Sequence, residues 1–565
     1  MVPQRLCPAM LLSSKLNVSL LTVLLRRHGI RRIVLCPGSR NAPLVSNFCT
    51  DPFFECYQLS DERAAAFFAL GMALHSAAPC AVCCTSGSAL LNMHPAVWEA
   101  AAQRVPLLII SADRSKAWID QKDGQTLEQR GVFGRLVKHE AELPQVLGAD
   151  DAENRWFCER LINEAVCEVL QPPLGPVHIN VPISDPLFEY ADYEPEVRTF
   201  GVAGMSEALQ VIARGRRRLL IIGQRRELLQ LSPAVRDGLE RNFIVFCEHL
   251  SNVRGLRDGS ALEQLLAAAP PDPGELAPDV VAVMGGHIIG KQLKRFLRSV
   301  RCTHIEFGTD FADTFQNLRC LVRRPPEDAE LLSRLAAIDP PADQDFMRRI
   351  RARMQVLRPP QDLPYSPLLI TQQVMAALRP GECLHLANSS TVRSAQYFGL
   401  DPGVQVLCNR GVNGIDGSLS TAAGFAARSG CDNYVLAGDL SFFYDINALW
   451  QPQLAGRLRI VLINNAGGGI FAAIGGFRVA PRARHYVIAD HATRARQLCR
   501  CHGLEYFAAE DAEGLQRGLQ QLRACRRDAV LECITDMQRD LDCLHSFLRQ
   551  LREPASARPD TQAGS

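Results

Sequence analysis

Two stretches decide how this chain is read: Tyr434-Val435-Leu436-Ala437-Gly438-Asp439-Leu440-Ser441 and Ile460-Val461-Leu462-Ile463-Asn464-Asn465-Ala466-Gly467-Gly468-Gly469. Each is a short apolar run, the pattern of a buried strand, closed by a polar, glycine-bearing loop. In a parallel sheet both loops fall at the carboxyl edge, where ligands bind. Asn465 stands 26 residues after Asp439. A carboxylate and an amide oxygen at one edge make a hard oxygen site. It suits magnesium and leaves coordination positions for phosphate oxygens. The glycines let backbone amides approach a diphosphate closely. Either loop alone reads as an ordinary turn, Asp and Asn being common turn residues. The pairing points to a site.

Outward from these loops, short apolar strands alternate with helical segments. The third unit has strands near Cys383–Ala387, Gln405–Cys408, Tyr434–Ala437, Arg459–Ile463 and Ala529–Ile534. A central unit has Arg218–Ile222, Phe243–Phe246, Val280–Met284 and His304–Phe307. The first has a helix near Leu16–His28, strand Arg32–Cys36, a helix Glu62–His75, strand Cys80–Cys84 and strand Pro106–Ser111. This βαβα rhythm predicts an α/β fold of three consecutive domains, each a mostly parallel sheet flanked by helices. Their expected bounds are 1–190, 200–335 and 360–552, with a disordered tail over 553–565. Tyr190–Arg198 reads as a linker, and Pro325–Pro341 and Pro359–Pro364 as loops.

The 565 residues carry 62 basic and 60 acidic side chains, a net charge of +2. That balance argues against a nucleic-acid binder and leaves room for a local basic pocket. Only six of the basic residues are lysines: Lys15, Lys116, Lys122, Lys138, Lys291 and Lys294. The skew reads as a compositional bias, which makes a lysine inside a pocket worth noting. Twenty cysteines are scattered singly through apolar runs, as buried reduced thiols are. Cys80, Cys83 and Cys84 lack the second pair that a zinc site needs. No apolar run reaches membrane-spanning length, and Met1–Lys15 lacks the ordered regions of a signal peptide, so the expected address is the cytoplasm. Gly285-Gly286 with Gly290 is no dinucleotide fingerprint.

The Gly438-Asp439 to Asn464-Asn465 pairing resembles the signature of thiamine-diphosphate enzymes. The resemblance covers nearly the whole chain, as a pyrimidine-binding, a central and a diphosphate-binding domain. It implies thiamine diphosphate with Mg2+ or Mn2+. Asp439, Asn465 and Gly467 hold the metal, and Gly438, Leu440, Ser441, Asp416 and Gly417 border the cofactor. It also implies a role for Glu62 in Asp61-Glu62-Arg63. A carboxyl on the aminopyrimidine ring nitrogen promotes the imino tautomer that takes the C2 proton, best in a dry cleft. The plainer reading of these acids is that they complement a helix N-terminus.

The match narrows further. Cys36-Pro37-Gly38-Ser39-Arg40-Asn41-Ala42-Pro43-Leu44, Ser111-Ala112-Asp113-Arg114, Gln125 with Gly131-Val132-Phe133, and Asn409-Arg410-Gly411 leading to Gly414-Ile415-Asp416-Gly417 resemble motifs of the 2-succinyl-5-enolpyruvyl-6-hydroxy-3-cyclohexene-1-carboxylate synthases of menaquinone biosynthesis, the MenD family. There the metal motif reads Gly-Asp-Leu-Ser, as Leu440 does here. The resemblance implies a transferase. It decarboxylates 2-oxoglutarate and adds the succinyl carbanion equivalent in 1,4 fashion to isochorismate. Both substrates are dicarboxylates, so arginines are expected in the pocket. Ser39, Arg40, Arg114, Gln125, Lys291 and Arg410 are implied to orient isochorismate. Ser389 and Arg393, four apart and therefore expected on one helix face, are implied to hold the distal carboxylate. Gln292 departs from the Lys-Arg pair of some members. Ile415 is implied to wedge beneath the cofactor, and Ile470 and Phe471 to line its pocket. A homodimer or a dimer of dimers is expected, with the pyrimidine domain of one subunit facing the diphosphate domain of another. The alternatives are another thiamine-dependent 2-oxo acid decarboxylase or carboligase and a non-catalytic nucleotide-binding or regulatory protein on the same scaffold.

Overall fold

The computed structural model describes residues 11–552, except 77, 149, 269–271, 358, 361, 452–453, 455 and 473–479. The expected tail 553–565 lies outside the described residues. Three parallel six-stranded sheets flanked by helices organise the chain, as the α/β reading expects. The chain divides into two compact units, 1–203 with 310–321, and 204–309 with 322–565.

In the first unit the sheet order is Glu55–Gln58, Arg32–Leu35, Cys80–Cys84, Leu107–Asp113, Val177–Pro182, His139–Glu142. Cys80-Ala81-Val82-Cys83-Cys84 is buried throughout, as a central parallel strand must be. Its alternate side chains feed two cores. Ile33, Ala81, Leu108 and Ile110 pack with Leu20, Leu24, Ile162 and Val166 from helices Leu16–Arg27 and Ala152–Leu170. Val34, Val82 and Ile109 pack on the other face with Ala65, Ala66, Ala69 and Ala73 of helix Glu62–Ser76. That alanine stripe lets the helix lie close on the sheet. Pairing of Leu35 with Cys83 and of Cys84 with Ser111 brings the loops after three strands to one edge.

In the second unit, strands Ile244–Cys247, Arg218–Ile222, Val280–Met284 and Thr303–Phe307 run parallel. Leu318–Val322 pairs in parallel with Gly201–Val202. The last sheet has the order Gln405–Leu407, Cys383–Leu386, Asn433–Gly438, Leu458–Asn464, Ala529–Ile534, Glu505–Ala509. Gly438 pairs with Ile463. The strand ends are therefore level, and Asp439 and Asn465 follow them directly.

The structure corrects the expectation at Pro325–Pro341. This segment holds a helix, Asp328–Ala336, that buries Leu331, Leu332 and Leu335. The flanking prolines read as a loop, while leucines at i, i+1 and i+4 supply an apolar stripe. Tyr190–Arg198 is irregular as expected, except that Tyr190–Ala191 pairs antiparallel with Leu12–Ser13. Cys80, Cys83 and Cys84 are buried. Burial pushes the Cys80 thiol up to about 12. Among the described residues no group of three or more His, Cys, Asp or Glu is placed to hold a metal, and no helix is long and apolar enough to cross a membrane.

Candidate functional site

A cavity of about 180 Å³ opens at the carboxyl edge of the last sheet, bordered by Ser389, Ile415, Asp439, Asn465, Ile470 and Phe471. Asp439 is the first residue of helix Asp439–Tyr444, where a carboxylate complements the dipole. Its Oδ1 accepts from Leu440 N at 2.7 Å and its Oδ2 from Gly467 N at 2.9 Å. His491 Nε2 lies 3.4 Å from the same Oδ2. Burial pushes Asp439 above the usual carboxylate range, and these N–H contacts pull against it. Asn465 Nδ2 donates to Asp540 Oδ2 at 3.2 Å, which fixes the amide and leaves its oxygen as the open acceptor. Asp540, itself pushed up to about 6 by burial, also accepts from Thr535 Oγ1 at 2.7 Å. Gly467 sits at φ +150, and a Cβ there would stand 3.1 Å from Ile488 O and Met537 Cε. Ser441 Oγ donates to Ile415 O at 2.9 Å and ties the two cavity loops together.

Asn388 fastens the neighbouring loop. Its Nδ2 donates to Asn409 O at 2.7 Å and Gly414 O at 2.6 Å. Its Oδ1 accepts from Arg410 Nη1 at 2.8 Å. Thus Arg410 is buried and Asp416-Gly417 is shaped, with Gly417 at φ +152. The Arg393 guanidinium is held below its ordinary range by burial and by facing Arg410. No carboxylate pairs with either arginine among the described residues. Ser389 differs from expectation. It precedes helix Ser390–Ser394 at φ +80 rather than sharing a face with Arg393. Arg393 Nη1 instead donates to the Ser389 carbonyl at 2.7 Å. Ser389 borders the first cavity. Arg393 borders a second, of about 240 Å³, with Lys291, Glu248, Glu263, Gln396 and Tyr397. Burial pushes Glu248 up to about 7, with the Ile289 and Gly290 N–H groups pulling against it. Gln292 accepts from Arg295 Nη1 at 3.2 Å.

The first unit gathers its own candidates at the edge of its sheet. Asp61 accepts from Ala64 N at 3.1 Å and so caps helix Glu62–Ser76. The capping reading is thereby met by Asp61. The Glu62 side chain, half-buried, makes no hydrogen bond among the described residues. It lies near the buried Cys36 thiol, which burial and the Glu62 charge push up to about 12. Gly38 packs so closely on Thr85 that a Cβ would stand 2.4 Å from Thr85 Cβ. Gly87 lies against the Gln125 backbone, and Gln125 has φ +56. Ser39 and Gln125 are exposed. Arg40 is buried, donates to Ile183 O at 2.9 Å and meets Asp185 at 3.3 Å. Arg114 donates to Gly124 O at 3.2 Å and pairs with Asp123 at 3.2 Å. A buried network underlies this edge. Gly87 N donates to Gln129 Oε1 at 2.8 Å, Gln129 Nε2 to Asn180 Oδ1 at 2.7 Å, and Asn180 Nδ2 to Asp113 Oδ2 at 2.8 Å.

Sequence reasoning missed Asn388, Asp540 and Gln129. Asn388 directly precedes a named serine, and Gln129 stands four residues after Gln125, which are weak signals. Asp540 stands 75 residues from Asn465, and nothing in the sequence links them.

The donor set fits a hard cation carrying a diphosphate. It offers lone pairs on a buried carboxylate, an amide oxygen held open by Asp540, and a glycine cradle closed to any Cβ. The thiamine pyrophosphate enzyme N-terminal TPP binding domain matches residues 18–132. Fold, edge and match together make this a thiamine-diphosphate-dependent enzyme. The chain is 40% identical over 559 residues to a 2-succinyl-5-enolpyruvyl-6-hydroxy-3-cyclohexene-1-carboxylate synthase of Phocaeicola vulgatus, covering 96% of this chain and 99% of that protein. Proteins of the same name from Flavobacterium johnsoniae and Desulfotalea psychrophila are 34% and 36% identical, over 93% and 85% of this chain and 96% and 90% of theirs. The chain belongs to the 2-succinyl-5-enolpyruvyl-6-hydroxy-3-cyclohexene-1-carboxylate synthase family.

Proposed function

We propose that this chain decarboxylates 2-oxoglutarate and adds the succinyl unit in 1,4 fashion to isochorismate, as a transferase of menaquinone biosynthesis. The observation that carries the substrate class is the pair Arg393, half-buried, and Arg410, buried, which donate to Ser389 O and Asn388 Oδ1 of one segment and pair with no carboxylate among the described residues. Two such guanidiniums are held together at a cost in repulsion and desolvation, which a carboxylate-bearing substrate offsets. A small uncharged oxo acid offers no such compensation.

Thiamine diphosphate, when bound, supplies the acidic C2 carbon and the electron sink that loss of carbon dioxide requires. Residues 1–190 serve as the pyrimidine-binding domain, 200–335 as the central domain and 360–552 as the diphosphate-binding domain. Asp439, Asn465 and Gly467 hold Mg2+ or Mn2+. Gly438, Leu440, Ser441, Asp416 and Gly417 would border the cofactor, and Ile415 would pack against it. Glu62 holds the proton at the pyrimidine ring nitrogen. Ser389 and Arg393 hold the distal carboxylate of 2-oxoglutarate. Ser39, Arg40, Arg114, Gln125, Lys291 and Arg410 orient isochorismate, while Ile470 and Phe471 exclude water from the reacting carbon. The reaction takes place in the cytoplasm.

Purified protein given thiamine diphosphate, Mg2+ and 2-oxoglutarate should release carbon dioxide in proportion to added isochorismate. Release that ignores isochorismate, with turnover of other acceptors, would assign a different carboligase. No release at all sinks the reading.

We further propose a homodimer or a dimer of dimers. Helix Glu62–Ser76 exposes Phe67, Phe68 and Leu74, and Trp98 is half exposed nearby in sequence. In the second unit Tyr444 and Trp450 stand open. Such patches mark protein contacts. Sedimentation should give at least twice the chain mass, and a fully active monomer would contradict this assembly.

A further inference from the structure

Lys291 opens helix Lys291–Ser299. A cation there opposes the helix dipole. The backbone donors on either side of it are nevertheless engaged. Glu248 accepts from Ile289 N at 3.0 and 2.7 Å through its two oxygens, and from Gly290 N at 2.7 Å. Glu263 accepts from Gln292 N at 3.0 Å and Leu293 N at 2.8 Å. Two carboxyl groups thus satisfy four N–H groups of one turn. Gly290 packs against them so tightly that a Cβ would stand 2.8 Å from Glu263 Oε2. Lys291 itself is exposed, with no ion pair among the described residues. The next lysine, Lys294, turns back to donate to Ile288 O at 2.9 Å.

This arrangement has two chemical consequences. Four of the five backbone N–H groups over 289–293 are taken by these carboxylates, so an anion in the second cavity is met chiefly by side chains. The acids offset the dipole without neutralising Lys291, because their oxygens point at the backbone. The same elements also grip the segment that follows Arg393. His249 N donates to Gln396 Oε1 at 3.1 Å, and Ser260 Oγ and Gln264 Nε2 donate to Gln396 O at 2.8 and 3.0 Å. The carriers of Lys291 and Arg393 are therefore tied to one frame, the turn after Cys247 and the helix Ala261–Ala268.

We propose that Glu248 and Glu263 are positioning residues that clamp the Ile288–Leu293 turn so that the Lys291 ammonium is presented, unpaired, to a carboxylate of isochorismate in the cavity that Arg393 borders. The inference rests on the reading of Lys291 given above.

The test is E263Q, assayed above neutral pH. Gln keeps the size but sets an amide donor against one backbone N–H. The KM for isochorismate should rise about 10-fold, the worth of one misplaced charged contact. The kcat, the KM for 2-oxoglutarate and the affinity for thiamine diphosphate should stay within two-fold. E263D, which keeps the charge, should recover part of the loss. The double variant E263Q/K291A should be no worse than K291A. G290A, aimed at the same carboxylate, should shift KM in the same direction. An E263Q enzyme with unchanged KM for isochorismate, beside a K291A enzyme whose KM has risen, overturns the clamp. So does additivity in the double variant, or a matching loss of cofactor affinity, which would mark a general structural role. An unchanged K291A enzyme overturns the reading of Lys291 and the proposal with it.

Discussion

Glu62→Gln lowers kcat by about 10²–10⁴-fold, the range for removing a positioned acid–base group. The variant should keep its fold and its affinity for thiamine diphosphate. Asp61 makes the capping bond to Ala64 N, so loss of the Glu62 charge removes no hydrogen bond among the described residues. The alanine face of the helix stays in the core whatever stands at position 62. A stability change within about 0.5 kcal/mol follows for a half-buried position free of such contacts. Steady-state assays beside thermal unfolding separate the two effects. Unchanged kcat would remove Glu62 from the proposed proton role, and a collapse of the melting midpoint would make it structural.

Asp439→Asn weakens joint binding of thiamine diphosphate and Mg2+ by more than about 100-fold, since outer-shell partners alone are worth 10–100-fold in metal affinity. Asn preserves the shape but removes the charge that faces a divalent cation. It also sets an amide donor against Leu440 N or Gly467 N, both of which need acceptors. Calorimetric titration with cofactor and metal measures the loss without any turnover. Wild-type affinity would displace Asp439 from the metal-binding role. Asp540→Asn should give a milder loss, because it misorients the Asn465 amide without removing a direct contact.

The strands buried on both faces were legible in the sequence. Cys80–Cys84, Arg218–Ile222, Val280–Met284 and Ala529–Ile534 are mostly apolar runs, interrupted only by Arg218 and Glu532, and their bounds match the structure. The edge strands Glu55–Gln58, His139–Glu142 and Glu505–Ala509 were not, since a half-exposed edge needs no apolar run. Leu318–Val322 and Val177–Pro182 escaped through their short, interrupted patterns. The candidate site divides the same way. Asp439 and Asn465 were legible because each directly ends a strong strand. Glu248, Glu263, Asn388 and Asp540 act through hydrogen bonds to distant backbone or side chains, which no local pattern records. Ser389 shows the limit of spacing: four residues from Arg393, it stands outside the helix because its backbone turns to positive φ.

The pairing of Gly438 with Ile463 has one more consequence. The distance between Asp439 and Asn465 is set by the ladder of hydrogen bonds joining two adjacent strands, not by the chain that runs between them. That intervening stretch is a tether whose length is free to drift in evolution, because lengthening it moves neither oxygen. A slip of the ladder by a single residue is different. It would exchange the side chains that Leu458–Asn464 sends into the cores on its two faces, so the packing of the whole strand stands guard over the placement of one amide.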